Sequence, residues 1–191
     1  MKIKVFILLL FVVALIPFGA AWSITLVRVG YIDIDAVVET YTNRYLETEI
    51  AMRQAFIQQL RNTYRDQFND MSTSERRDLQ RQIDDHKEAL SLLTYNSYFF
   101  ETTGNIRDSI IIQIVQNDIM EAIKKTSELE GFSLVLDNSG NFVYGSEDIN
   151  LTDKVLFRLD EKLLDLQTSE PRAPLEMELE EFLLEEILNV E

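Results

Sequence analysis

A stretch of about 95 residues with almost no helix breakers constrains this chain more than any other feature. Between residues 36 and 130 the sequence contains one glycine, Gly104, and no proline. Because these two residue types interrupt helices most strongly, the stretch predicts very long helices. The 6 glycines and 3 prolines in the whole chain favour the same conclusion. We therefore predict a mostly helical α+β fold.

A single turn is expected near residues 71–75. There Ser72 and Glu75 fit a capping box, in which each side chain accepts a hydrogen bond from the other residue's backbone N–H. Apolar or aromatic residues recur at helical spacing on both sides: Phe56, Leu60, Tyr64 and Phe68 before the turn, and Leu79, Ile83, His86, Leu90 and Leu93 after it. The second set has coiled-coil spacing. Residues 36–130 are thus predicted to form an antiparallel helical hairpin, an arm of roughly 50 Å at 1.5 Å per residue.

A small β-sheet body is predicted at the base of the arm. Residues 25–34 alternate in the manner of a strand, which places an N-terminal strand within residues 22–35. Residues 131–166 are predicted to begin with a β-hairpin. Its first strand is expected over residues 132–136, its turn over 137–141 and its return strand over 142–144. Asn150 or Thr152 is expected to cap a short helix with these residues on its inner face: Val155, Leu156, Leu159 and Leu163.

The two ends of the chain have their own patterns. Residues 1–21 combine Lys2 and Lys4, an apolar run and a small-residue site, which predicts a secretory signal peptide cleaved after Ala21. An uncleaved anchor is the alternative, because no charge occurs over residues 5–27. Residues 167–191 are predicted to be an acidic amphipathic tail. This tail is interpreted either as a regulatory or docking helix that folds back over a basic or apolar patch, or as a solvated appendix.

Composition argues against several classes of function. The net charge of −15 disfavours binding to nucleic acid or to anionic membranes. Without cysteine there is no thiol catalysis and no disulfide. We find no phosphate-binding glycine loop, HExxH motif or nucleophile elbow, and we expect no enzyme, no cofactor and no metal site. Asp33 and Asp35 are interpreted as solvated or helix-capping carboxylates, and the single histidine, His86, as a seam or surface residue.

Apolar residues near the return end of the arm are spread around the helix and predict burial from several sides. We interpret them, with two leucines of the second strand, as candidates for self-association: Ile110, Ile112, Val115, Ile119, Ile123, Leu134 and Leu136.

Two segments carry a resemblance to the Skp/OmpH family of periplasmic chaperones. They are Val29-Gly30-Tyr31-Ile32-Asp33, and the stretch from Gly131 to Asp137 that continues through Phe142-Val143-Tyr144 to residues 148–155. The similarity covers about residues 27–165. It implies a homotrimer whose arms surround a cavity that holds unfolded outer-membrane proteins without ATP. The chain departs from the family in its acidic charge, and no lipopolysaccharide-binding basic cluster can be assigned.

Under this resemblance, aromatic residues and a methionine of the arm become candidates for client contact: Tyr45, Phe56, Tyr64, Phe68, Met71, Tyr95, Tyr98, Phe99 and Phe100. The alternative for each is packing between the two helices. For the whole protein, the alternative is a membrane-anchored periplasmic coiled-coil adaptor with a fixed protein partner. In that case the membrane is contacted only through an uncleaved N-terminal segment.

Overall fold

The computed structural model describes residues 27–138 and 146–168. Its elements, in chain order, are β1 (Val29–Ile32), α1 (Ile34–Asp66), α2 (Thr73–Thr103), α3 (Ser109–Glu130), β2 (Leu134–Asp137), a 3₁₀ turn (Glu147–Ile149) and α4 (Thr152–Thr168). The predicted fold class, a mostly helical α+β protein with a long antiparallel hairpin and a small sheet, is confirmed.

The arm consists of α1 and α2, which turn back on each other between residues 67 and 72. Asp33 caps the start of α1, since its carboxylate accepts from Ala36 N at 2.9 Å. At the start of α2 the predicted capping box is present: Glu75 N donates to Ser72 Oγ at 3.3 Å, and Ser72 N donates to Glu75 Oε2 at 2.6 Å. These caps satisfy backbone groups that the first turn of a helix leaves unpaired.

The returning half of the predicted hairpin is broken into two helices, which the sequence did not lead us to expect. Gly104 ends α2 in the left-handed conformation, with φ of 68°. The Asn96 side chain then accepts from the backbone N–H groups of Arg107 and Asp108, each at 3.1 Å. Asp108 in turn caps α3. A buried asparagine therefore fixes the loop between α2 and α3.

The sheet has two parallel strands, with Val29 opposite Leu134 and Ile32 opposite Asp137. The sheet therefore pairs two strands that are far apart in the sequence. The return strand predicted over residues 142–144, which would form a β-hairpin with β2, lies outside the described residues. Gly30 allows the chain to pass close to its neighbours, because a Cβ there would lie 3.2 Å from Leu151 Cδ1 and 3.3 Å from the Phe132 ring.

Helix α4 runs alongside α1 in the same direction, towards the tip of the arm. At the start of both helices Asp33 N donates to Thr152 Oγ1 at 3.0 Å, and further along Arg44 forms an ion pair of 2.6 Å with Asp160. Asn150 accepts from Thr152 N at 3.0 Å, as expected of a helix start. On the predicted inner face Val155, Leu159 and Leu163 are buried and Leu156 is partly buried.

One hydrophobic cluster joins the strands, α3, α4 and the adjoining ends of α1 and α2; these parts are called the body. The cluster includes Val115 and Ile119, each 3% exposed. Both residues were predicted to mediate self-association, and that interpretation is wrong, because they are already covered by neighbours within the same chain. Of the other candidates, Leu134 and Leu136 are 48% and 45% exposed, and Ile110, Ile112 and Ile123 are partly buried.

Candidate functional site

None of the seven main client-contact candidates of the arm is fully buried, although Phe56 packs across the two helices against His86. Tyr98 is 67% exposed, Tyr95 47% and Phe68 40%, while the rest are partly buried: Phe56, Tyr64, Met71 and Phe99. Two further candidates were wrong, because Tyr45 and Phe100 are buried in the core of the body. The seam instead uses a different face of each helix, with Ile57, Leu60, Ile83 and Ala89 buried.

The exposed aromatic residues form two clusters with arginine. Near the tip, the rings of Tyr64 and Phe68 meet edge to face at 5.5 Å between centroids, and the Arg76 guanidinium lies 4.7 Å over Phe68. We call this the tip cluster. A guanidinium over an aromatic face is attracted by the negative charge of that face and covers apolar surface while remaining charged.

The second cluster lies near the end of α2. Tyr95 and Phe99 stack at 6.3 Å, and the Arg107 guanidinium lies 4.5 Å over Phe99. Arg107 Nη1 also donates to Tyr95 Oη at 2.8 Å. From Arg76 to Tyr95 is about 28 Å along α2, so the two clusters present similar chemistry at separate levels of the arm.

Charged side chains interrupt the seam between the body and the outer part of the arm. Arg53 is 0% exposed, with Nε 3.4 Å from Glu49 Oε2 and Nη1 3.4 Å from His86 Nδ1. Phe56 meets the His86 ring edge to face at 4.8 Å. Burial, and then the charge of Arg53, lower the pKa of His86 below its ordinary value. Glu49, Arg53 and His86 are called the charged layer.

A second charged network fixes α4 to α3 in the body. Tyr41 Oη donates to Asp118 Oδ2 at 2.5 Å, and Lys162 lies 2.5 Å from Asp118 Oδ1 and 2.9 Å from Glu121. Hydrogen bonds from Lys125 and Lys162 lower the pKa of Glu121 to about 2. Burial lowers the pKa of Lys162, but its bonds to Asp118 and Glu121 outweigh burial and raise it.

The outward face of the sheet is apolar. Val29 lies opposite Leu134 across the two strands, and these residues are 39% and 48% exposed. Tyr31 and Leu136 follow on the same face, since side chains alternate along a strand. An apolar sheet face of this kind is a surface for association.

Within residues 27–138 and 146–168, no group of three or more metal-binding side chains comes together. No helix in these ranges has the length and apolar character needed to cross a membrane. Asp33, one of the two carboxylates interpreted as solvated or helix-capping, caps α1.

Comparison with known proteins places the chain in a family. Residues 28–159 match the family model described as outer membrane protein (OmpH-like). The chain belongs to the OmpH-like family. This is a family of periplasmic chaperones, not enzymes, that bind unfolded outer-membrane proteins and form oligomers. The predicted Skp/OmpH resemblance is thereby confirmed. No curated protein matches this OmpH-like chain.

Sequence reasoning missed the polar residues that shape the OmpH-like fold here: Glu49, Arg53, Asn96 and Asp118. All four occupy positions that a search for apolar periodicity passes over. Glu49 and Arg53 are four residues apart, which is the spacing of a helical ion pair, and that spacing was the available signal.

Proposed function

We propose that this chain is an ATP-independent holdase that keeps unfolded outer-membrane proteins soluble in the periplasm. The supporting observation is that three aromatic side chains of the arm are exposed, with Phe68 at 40%, Tyr95 at 47% and Tyr98 at 67%. A hairpin that needed these residues to join its two helices would bury them. Exposed aromatic rings contact unfolded chains without requiring a defined partner shape.

The two aromatic–arginine clusters give the contacts that such a chaperone requires. Each offers flat apolar rings and a guanidinium that binds carboxylates or carbonyl oxygens. At about 3.3 Å per residue, a client segment of roughly nine extended residues spans the 28 Å between the clusters. Several weak contacts of this kind hold a client and still permit its release, because no single contact dominates.

We further propose that the body assembles as a homotrimer whose arms surround the client. The two strands that the structure describes form a small sheet, and a sheet of this size is marginally stable alone. Burying Val29, Leu134 and Leu136 against the same surface of other copies removes an exposed apolar face. The partly buried Ile110, Ile112 and Ile123 are the candidates for extending this interface.

The holdase activity is tested with residues 22–191, the chain without its predicted signal peptide. A urea-denatured outer-membrane β-barrel protein is diluted into buffer with and without the chain, and aggregation is followed by light scattering. The proposal expects a soluble complex, which Tyr95→Ser with Tyr98→Ser weakens. The matched control is Gln54→Ser with Gln82→Ser, which changes two exposed polar residues of the arm. Unchanged aggregation in the presence of the chain contradicts the proposal and favours the adaptor.

The trimer is tested by light scattering of the chain alone after size-exclusion chromatography. Leu134→Glu is expected to reduce the mass to that of a monomer, because three carboxylates would meet in the interface. Leu164→Glu is the matched control, since Leu164 is 61% exposed and lies about 18 Å along α4 from Thr152, which is bonded to Asp33 next to β1. A mass that is monomeric before any substitution, or equal sensitivity to both variants, contradicts this interface.

A further inference from the structure

The tip of the arm contains unpaired positive charge in an otherwise acidic chain. A groove of about 360 Å³ lies between the two helices there, lined by Tyr64, Phe68, Thr73, Arg76, Arg77 and Gln80. Arg76 and Arg77 form no ion pair with any residue that the structure describes, and Arg76 Nε is buried without a hydrogen-bond partner in those ranges. Arg61 lies one turn before Tyr64, but its charge already acts on Asp84. Lys87, Gln80 and, to a smaller extent, Arg61 lower the pKa of that carboxyl.

Helix α4 ends at Thr168, and its axis points along the arm towards the tip, where the groove lies. Because α4 runs parallel to α1 and pairs Asp160 with Arg44, its end at Thr168 lies about 12 Å further towards the tip. Tyr64 lies about 30 Å beyond Arg44 along α1. The remaining distance of roughly 18 Å is covered by residues 169–174, which reach about 20 Å when extended.

The tail and the groove have complementary chemistry. Residues 170–191 contain eight acidic residues and one basic residue, Arg172. Apolar residues recur among them at helical spacing: Leu175, Leu179, Phe182, Leu183, Ile187 and Leu188. An apolar stripe flanked by carboxylates matches aromatic rings flanked by arginines, since the apolar stripe covers Tyr64 and Phe68 while glutamates approach the guanidiniums.

We propose that residues 175–190 bind in the tip groove of their own arm when no client is present. The tail then acts as an internal competitor, which unfolded clients must displace from the tip cluster. The docking stands on the groove and on the direction of α4, whereas the competition rests on the proposed holdase function. A tail bound in this way shields the aromatic rings at the tip from non-productive association.

Docking is tested by distance measurement between spin labels, without any client. The chain contains no cysteine, so Gln82→Cys near the groove and Met177→Cys near the start of the proposed tail helix give two unique labelling positions. Electron paramagnetic resonance is expected to show a population of short distances that decreases as salt is added, because exposed ion pairs are screened. Mixing singly labelled chains should not give this population, since the occupant is the tail of the same chain.

Charge reversal separates groove binding from a general effect of net charge. Arg77→Glu is expected to reduce the short-distance population by about threefold or more. Lys124→Glu changes the net charge equally at an exposed position of α3 and should leave that population unchanged. A broad distribution in the parent chain, or equal responses to the two variants, overturns the docking.

The competition is tested separately with a fluorescent outer-membrane client. Removing residues 170–191 is expected to tighten client binding several-fold, and the free peptide 170–191 should reverse that gain. If the short distances are present but truncation leaves client affinity unchanged, the tail is not a competitor. If neither form of the chain binds a client, the holdase function fails while the docking remains supported by the distances.

Discussion

The body and the outer arm are held together by different interactions. In the body, 17 buried residues form one cluster, and they come from β1, all four helices and the loop positions Phe132 and Leu151. We call residues 54–85, which lie beyond the charged layer, the outer arm. Its buried apolar residues are Ile57, Leu60 and Ile83, and none of them belongs to that cluster. This difference predicts that the outer arm unfolds locally at a lower free energy than the body, which contains most of the buried apolar side chains.

The largest expected effect comes from the charged layer between the two regions. Arg53→Met should lower the free energy of unfolding by about 3–5 kcal/mol, because it leaves buried polar partners without their cation. The triple replacement Glu49→Leu, Arg53→Leu and His86→Leu should be neutral or stabilising by about 1–4 kcal/mol. Urea unfolding at fixed protein concentration measures both. A loss below about 1 kcal/mol for Arg53→Met would mean that Glu49 and His86 do not depend on the Arg53 cation for their stability in the folded chain.

Removing one apolar side chain from each region should distinguish their cooperativity. Leu159→Ala in the body should lower the free energy of global unfolding by about 2–4 kcal/mol, because Leu159 is 1% exposed and its removal leaves a cavity. Ile83→Ala should mainly increase amide hydrogen exchange within residues 54–85. Equal exchange increases in body and arm after Ile83→Ala would show that the two regions unfold as one unit.

The charged network between α3 and α4 should contribute less. Lys162→Gln should lower the free energy of unfolding by about 1 kcal/mol, less than a fully buried charged hydrogen bond, because the Lys162 side chain is 35% exposed. Lys154→Gln is the control, since its ion pair with Glu130 is more exposed at both partners. The control should change stability less, as measured by urea unfolding.

The pH dependence of the charged layer should be smaller still. Because burial and Arg53 lower the pKa of His86 in the folded chain, unfolded chains bind the proton more readily once the pH falls below about 6.5. Stability should therefore fall between about pH 6.5 and pH 5, a window above the titration of most carboxylates. His86→Gln should flatten the thermal unfolding profile in this window. An unchanged slope would show that another group is responsible.

The smallest effect on stability is expected at the exposed aromatics. Tyr98→Ser should change the free energy of unfolding by no more than about 0.5 kcal/mol, as is usual for surface positions. The same variant should hold less client in solution if the proposed function is right. A large loss of stability would instead assign Tyr98 a structural role in the outer arm.

Local chemistry made much of this fold predictable. Ser72 and Glu75 specify the start of α2 within four residues. The spacing of Val155, Leu159 and Leu163 alone identifies the buried face of α4. The pairing of β1 with β2 has no such signal, because parallel strands meet across a long connection. Asn96 likewise acts on a loop 11 residues away, so its role appears only in three dimensions.

The candidate site was less predictable because apolar spacing does not distinguish a seam from the surface beside it. Phe56, Leu60, Tyr64 and Phe68 repeat every four residues, a spacing that favours packing between the helices but does not show which of them lies on the surface beside the seam. The actual seam passes through Arg53, a residue type that is rarely buried without a partner. Val115 and Ile119 show the opposite error, since a helix that is apolar on several sides can be buried by its own chain.

The parallel pairing of Val29–Ile32 with Leu134–Asp137 makes the arm an insertion between two adjacent strands. Both ends of that insertion are fixed by the body. The turn at the tip of the arm makes no contact with the strands. Adding one heptad to each helix of the outer arm would move the tip outward by about 10 Å and keep the seam in register. Since loop closure depends only weakly on loop length, arm length can vary between relatives without redesign of the body. The reach of the arm, and with it the size of client that the proposed holdase would enclose, is a property that evolution can adjust separately from the packing of the body.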